Sequence, residues 1–326
     1  MAEVLLLSGR DVQQHLDITE AIDAVEGAFR DLASGAASMP SKSYLLFPRG
    51  DLRVMPASQG SEFAGVKVVN SHPENPAQGL PAVMGTYVLV SQETGTPLAI
   101  MEATYLTAVR TGAASAVATK YMARKDAASV GLVGSGVQAN FQLAGIAAVR
   151  DVREVAVWSP PNDTDRRDTF VQKARDVFSN AIIRAVDNIA EVIDADIVVS
   201  TTPSREPLLP DSAISNGTHI NAVGADGPGK QELAIETLRR SRVIVDEIEQ
   251  ATHGGEINVG VSNGDYQVSE VAGSLAEVVT GTTPGRVSDE EITVFDSTGL
   301  AIEDIATAAL VYQKALEAGA GMKIEL

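Results

Sequence analysis

Val130-Gly131-Leu132-Val133-Gly134-Ser135-Gly136-Val137-Gln138-Ala139 decides the fold. Its apolar half reads as a short strand, the strand stops in Gly134-Ser135-Gly136, and a helix-like sequence follows through Asn140 and Phe141. Strand, glycine turn and helix in that order make a phosphate cradle. Gly134 permits the tight turn, Gly136 lets backbone approach a pyrophosphate, and the helix start offers unpaired N–H groups and a positive dipole end. The spacing is G-x-G-x-x-A, with Ala139 small enough to keep helix and strand close. Alone, such a glycine pair is equally well an ordinary turn.

Downstream the signals alternate. Residues 154–158, 182–185, 197–201, 219–223 and 243–246 read as strands, and residues 141–149, 167–178 and 189–192 as helices. The pattern predicts a parallel, doubly wound, Rossmann-type α/β sheet with the glycine turn after its first strand, the context that makes the motif a dinucleotide site. An acid closing the second strand would hold the ribose of NAD. That strand instead ends Trp158-Ser159-Pro160-Pro161, with Arg166 and Arg167 following, which favours NADP(H) over NAD(H) by a small margin. Ser200-Thr201-Thr202-Pro203 and the run from Ala222 to Lys230 follow later strands, where open α/β sheets bind ligands. Asp226 in the second run suits either a turn-stabilising carboxylate or a base that takes a proton from an amine or water.

Upstream, residues 17–32 carry Ile18, Ile22, Val25, Phe29 and Leu32 at helical spacing, a packing stripe. Residues 44–47, 52–55, 65–69, 83–90 and 97–101 then read as short strands of a mostly antiparallel sheet, so the N-terminal part is a second α/β domain. Lys42, Arg53 and Lys67 lie in or beside these strands, and Arg110 in the small-residue-rich helical stretch 103–125. Singly, each cation reads as a solvated residue. Together they suit a pocket for a carboxylate, which needs several converging donors. The proline-rigid stretch 70–81 either walls that pocket or is merely a turn. Arg110-Thr111-Gly112 fits either tight helix packing or a helix start facing an anion.

Composition bounds the rest. A chain of 326 residues, 44% hydrophobic, predicts about two domains with a large core. A net charge of −18 argues against nucleic acid and anionic membranes as partners. With only 8 lysines among 25 basic residues, it fits either a salt-adapted protein or an ordinary acidic enzyme. No apolar run approaches a membrane span, and Met1-Ala2-Glu3 lacks the basic flank of a signal peptide, so a cytoplasmic location is expected. The absence of cysteine excludes disulfides and thiolate catalysis, and four histidines without paired spacing predict no metal site.

These residues carry a resemblance. MPSKSYL, GDLRVMPA, AGVKVVNSHPENP, ATYLTAVRTGAAS, GLVGSGVQA, STTPSREP, HINAVGADGPGKQEL, HGGEINVGVS and ITVFDSTGLAIEDIA together resemble the ornithine cyclodeaminase and mu-crystallin family over essentially the whole chain, and within it the archaeal alanine dehydrogenases. The resemblance implies a substrate-binding and dimerisation domain at residues 1–122, completed by residues 303–326, and a dinucleotide-binding domain at residues 123–302. The subunit would pair as a homodimer. Arg53, Lys67 and Arg110 would hold the substrate carboxylate with Lys42 near, and Asp226 would be the acid/base with Lys67 assisting. Thr111, Gly134, Gly136, Val137, Gln138, Ser159, Thr201, Gly224, Lys230 and Ser297 would contact the dinucleotide. Two positions depart from the family: Ala82, often threonine, and Ser159, an acid in NAD-using members. The implied reaction is reversible oxidative deamination of a small L-amino acid, L-alanine to pyruvate and ammonia. The alternatives are ornithine cyclodeamination to proline, reduction of pyrroline-2-carboxylate, and a non-catalytic NADP-dependent ligand binder.

Overall fold

The computed structural model describes residues 3–326; Met1 and Ala2, read from sequence as a start without a basic flank, lie outside them. The chain opens with β1 (Glu3–Leu7), α1 (Gly9–His15), α2 (Ile18–Ser34), β2 (Ala37–Ser38), β3 (Ser43–Phe47), β4 (Gly50–Gln59), β5 (Phe63–Ser71), β6 (Val83–Ser91), β7 (Pro97–Glu102) and α3 (Thr104–Met122). It continues with β8 (Ser129–Val133), α4 (Val137–Val149), β9 (Glu154–Trp158), α5 (Thr164–Val177), β10 (Ile182–Ala185), α6 (Ala190–Ile193), β11 (Ile197–Ser200) and β12 (His219–Ala222). It closes with α7 (Ile235–Arg240), β13 (Arg242–Val245), α8 (Ile248–Gly254), α9 (Asn258–Asn263), β14 (Gly273–Ser274), α10 (Leu275–Val279), β15 (Thr293–Asp296), α11 (Ala301–Ala318) and β16 (Met322–Glu325). Two compact units result: Met1–Thr111 with Leu300–Leu326, and Gly112–Gly299. The first division falls inside α3 and the second just ahead of α11, whereas the sequence places them at 122 and 303. Among the described residues no helix is long and apolar enough to cross a membrane.

The first unit holds a mixed sheet in the order β16-β1-β7-β6-β5-β4-β2, with β3 added on β4. Among the described residues of this sheet only β1 and β7 pair in parallel; the rest is antiparallel, as the short strands and tight turns dictate. β1 and β16 carry too little alternation to be read from sequence, and they pair with each other, Leu5 opposite Lys323. α2 is capped by Asp17, whose Oδ1 accepts from the N–H groups of Thr19 (2.7 Å) and Glu20 (3.1 Å), and is ended by Gly35 at φ 78°. It buries the expected stripe of Ile22, Val25 and Phe29. α11 packs on α2 and on β4, β5 and β6. Successive strand residues alternate faces, so Arg53, Met55, Lys67 and Tyr87 share one face, with Met55 and Tyr87 directly opposite Lys67 on the neighbouring strands. Gly65 stays a glycine because a Cβ there would lie 2.6 Å from the Tyr87 ring and hydroxyl. The other face, with Val54, Val66, Val68 and Val88, is half-buried to exposed, and β3 beside it exposes Leu45, Leu46 and Phe47.

The second unit is all parallel, in the order β10-β9-β8-β11-β12-β15-β13-β14. The order reverses between β8 and β11, the crevice where such sheets bind ligands. Two cores cover its two faces: Val130 and Leu132 of β8 join Leu143, Ile146 and Phe170, while Val133 joins Val192, Ile193 and Val198. β12 and β13 are not neighbours, because β15 lies between them, with Ala222 and Val245 both opposite Asp296. β15 is four fully buried residues, too short to show a period.

Candidate active site

The first unit supplies a buried cluster of charges. Lys67 sits in the middle of β5 and is fully buried, where an ammonium survives only beside a counterion. Asp304, in the first turn of α11, provides it: Nζ to Oδ1 is 2.6 Å, and Asp304 is also fully buried. Arg110 of α3 donates through Nε to the same Oδ1 at 3.0 Å and through Nη1 to Glu303 Oε2 at 2.7 Å. Glu303 is fixed by its capping position, its Oε1 accepting the Leu300 N–H at 3.2 Å. Burial, reinforced by the Arg110 charge, lowers Lys67 to about 7 against the opposing pull of Asp304 and Glu303. The amine therefore exchanges its proton near neutrality.

Arg53 shares the inward face of Lys67, opposite Val69 on β5. Asp51 holds it in a two-pronged pair, Nε to Oδ1 at 3.1 Å and Nη2 to Oδ2 at 2.9 Å, and its guanidinium lies 5.5 Å from the Tyr44 ring centroid. Lys42 precedes β3 and is half-buried. Thr111 turns its hydroxyl back onto the Thr107 carbonyl at 2.7 Å. The structure thus joins Lys67 and Arg110 through one shared carboxylate, Asp304. Neither Asp304 nor Glu303 was among the residues singled out by sequence. They stand in the quoted segment LAIEDIA, where the acidic pair reads as an ordinary charged first turn.

The second unit carries the phosphate cradle. Gly134 has φ 105°, open to glycine and strained for other residues, and a Cβ there would lie 2.8 Å from Thr201 Oγ1. Its N–H donates to the Trp158 carbonyl at 2.9 Å, which ties the turn to the end of β9. Gly136 is the N-cap of α4 without a side-chain capping bond, and nothing lies within 4 Å of where its Cβ would stand. Val137, next along, is 68% exposed. The buried Oγ atoms of Ser135 and Ser297 and the Oε1 of Gln138 have no hydrogen-bond partner. An open helix N-terminus among several unmatched polar atoms fits the pyrophosphate and ribose groups of a dinucleotide. Thr201 follows β11 and donates to the Val133 carbonyl at 3.0 Å through its N–H. Ser159 is buried and donates to the Asp163 carbonyl at 3.1 Å.

Asp226 and Lys230 stand four residues apart on the loop after β12 and form an ion pair, both partly exposed. That loop hangs on buried acids absent from the sequence reading. Glu232 Oε1 accepts from the N–H (2.7 Å) and hydroxyl (2.7 Å) of Thr202, and its Oε2 from the Gly224 N–H at 2.9 Å. One carboxylate therefore ties the loop after β11 to the loop that bears Asp226. Glu256 Oε1 accepts from the N–H groups of Glu232 (2.8 Å) and Leu233 (2.5 Å), and Asp296 Oδ1 from the Glu256 N–H at 2.8 Å. Burial raises Glu232, and burial together with the Glu232 charge raises Glu256 well above the carboxylate range. Their signal was present in the stretches GKQEL and HGGEIN, but solvated acids look the same in sequence.

Comparison with known proteins covers the whole chain. A model of the ornithine cyclodeaminase/mu-crystallin family matches residues 2–319. An alanine dehydrogenase of Archaeoglobus fulgidus is 49% identical over 323 residues, 99% of this chain and 98% of its own. The solved structure of an archaeal alanine dehydrogenase dimer with bound NAD superposes with a TM-score of 0.96 at 48% identity, covering 100% of both chains. That of the Thermococcus litoralis delta(1)-pyrroline-2-carboxylate reductase, in complex with NADH and L-proline, has a TM-score of 0.95 at 39% identity, covering 98% of this chain and 100% of its own.

Proposed function

The chain belongs to the ornithine cyclodeaminase/mu-crystallin family, and from that membership we propose that it is an alanine dehydrogenase, converting L-alanine reversibly to pyruvate and ammonia with a nicotinamide dinucleotide. The observation that carries this reading is the pairing of a buried, proton-exchanging Lys67 with Arg110 in one unit and a phosphate cradle in the other.

In the mechanism, Arg53, Lys67 and Arg110 bind the substrate carboxylate and fix the Cα. A guanidinium carries five donors, enough to serve carboxylates of the protein and of a substrate together. Gly134, Gly136, Val137, Gln138, Thr201, Gly224 and Ser297 would hold the dinucleotide, with Thr111 and Ser159 at its edges. The nicotinamide supplies a hydride acceptor or donor for the substrate Cα when bound. Asp226 takes the proton of the water that attacks the imino carbon and returns it to the departing nitrogen. Lys230 forms an ion pair with Asp226 four residues before it. Lys67 Nζ holds the proton that polarises the oxygen entering or leaving the same carbon.

For the finer choice of cofactor we infer NAD(H), reversing the small margin read from sequence. Arg166 is paired with Asp163, and Arg167 is buried against the Val186 carbonyl and Asp187. A 2′-phosphate would have to displace a carboxylate to reach either guanidinium, and the relatives just described carry NAD or NADH. We further infer a homodimer, closed over the apolar outer face of β3 to β6, as supported by the dimeric archaeal relative.

Reduction of pyrroline-2-carboxylate is the second reading, favoured by the similarity to the Thermococcus litoralis enzyme with L-proline. An assay panel separates them: oxidation of NADH with pyruvate plus ammonia, the same with pyrroline-2-carboxylate, and proline formation from ornithine. The proposal expects the first to exceed the others in kcat/KM. Turnover of only the cyclic imine or only ornithine transfers the protein to that branch, and failure of all three favours a ligand binder.

A further inference from the structure

We propose that Asp304 is the positioning residue of the substrate site: through one carboxylate oxygen it sets the place of both the Lys67 ammonium and the Arg110 guanidinium, and it offsets burial enough for Lys67 to exchange its proton near neutral pH. This deepens the oxidoreductase reading and rests on it for the meaning of the site, not for the pairing itself.

The geometry is specific. Asp304 Oδ1 is 2.6 Å from Lys67 Nζ and 3.0 Å from Arg110 Nε, while Oδ2 of the same carboxylate has no hydrogen-bond partner. Both cations are therefore tied to a single atom. Moving that atom moves both donors expected to hold a substrate carboxylate. Asp304 lies in the first turn of α11, where the positive helix end stabilises its charge, and α11 packs on the strand that carries Lys67.

The groups facing Lys67 show why this partner decides its charge. From β6 comes Tyr87, directly opposite and fully buried, its hydroxyl without a partner. From β4 come Met55, directly opposite, and Arg53, already held by Asp51. From α3 comes Arg110, and from α11 Glu303 and Asp304. Burial and Arg110 both favour the neutral amine; Asp304 and, more weakly, Glu303 favour the ammonium. Glu303 is bonded to Arg110, so Asp304 alone offers Lys67 a direct acceptor among these groups. Removing its charge leaves burial and Arg110 unopposed at Nζ.

The test is an NMR titration of Lys67 in protein labelled with ¹³Cε-lysine. The chain has 8 lysines, and the Lys67 signal is assigned by its loss in Lys67→Arg. The expected midpoint is about 7 in the unaltered protein, and at least about one pH unit lower in the isosteric Asp304→Asn. A midpoint above 9 in the unaltered protein, or one unmoved in Asp304→Asn, overturns the proposal; the first criterion holds even where the variant does not fold. A kinetic readout separates positioning from general destabilisation. Asp304→Asn should be impaired most at pH 8, and its deficit in kcat/KM should shrink at least about 5-fold by pH 6, as Lys67 regains its proton. A deficit independent of pH also overturns it. Because the titration needs no substrate, inactivity of the unaltered protein in the assay panel removes the functional reading alone.

Discussion

In the proposed mechanism two demands fall on Asp226: it must be basic and it must be aimed. Lys230 pairs with it, and Glu232 serves the second demand by gripping Gly224 two residues before it. The two kinds of support predict different phenotypes. Asp226→Asn keeps shape and loses the base, so kcat should fall about 10²- to 10⁴-fold with dinucleotide affinity nearly unchanged. Glu232→Gln weakens charge-assisted bonds worth about 1.5–3 kcal/mol each and frees two loops at once, so melting temperature and dinucleotide affinity should both fall. Trp158, the only tryptophan, closes β9 beside the glycine turn, so its fluorescence is the readout by which binding is to be measured. Equal dinucleotide affinities in the two variants would break the distinction. Asp226 was legible in sequence because glycine and proline isolate it on a loop. Glu232, Glu256 and Asp296 were not, because nothing local distinguishes an acid that folds inward to serve backbone N–H groups from one that stays in water.

Among the elements, the β8-turn-α4 unit shows how far local chemistry carries. Its strand, its turn and its helix start all follow from ten residues, and the structure keeps each: an apolar strand buried on both faces, Gly134 at φ 105°, and an uncapped helix start at Gly136. Gly134→Ala should cost about 1–3 kcal/mol through the strained backbone and the clash with Thr201. Dinucleotide affinity should fall with it, measured by Trp158 quenching alongside thermal melting. A variant that melts and binds unchanged would show that the turn does not need glycine. Elements defined by distant partners were less legible. β15 is recognisable only once β12 and β13 flank it, and β16 only once β1 lies beside it. The same holds for the acids of α11: the burial of Glu303 and Asp304 depends on cations brought there by β5 and α3.

On the scale of the whole molecule, the proposed function divides the labour between two units: one concentrates paired charges around a buried lysine, and the other would offer backbone and unmatched polar atoms to a dinucleotide. The apolar face of β3 to β6 is out of keeping with a surface of net charge −18 unless another surface covers it. Leu46 is 75% exposed, so Leu46→Asp should leave an isolated subunit folded yet shift sedimentation toward monomer. An unchanged, fully dimeric profile would place the interface elsewhere. The central claim is that a small L-amino acid held by the first unit exchanges hydride with a nicotinamide held by the second. Incubating the protein with NAD and L-alanine deuterated at Cα tests it most directly, by mass spectrometry of the reduced dinucleotide. Deuterium recovered in NADH, in step with pyruvate formed, is the predicted result; pyruvate absent, or NADH formed without the label, would contradict it.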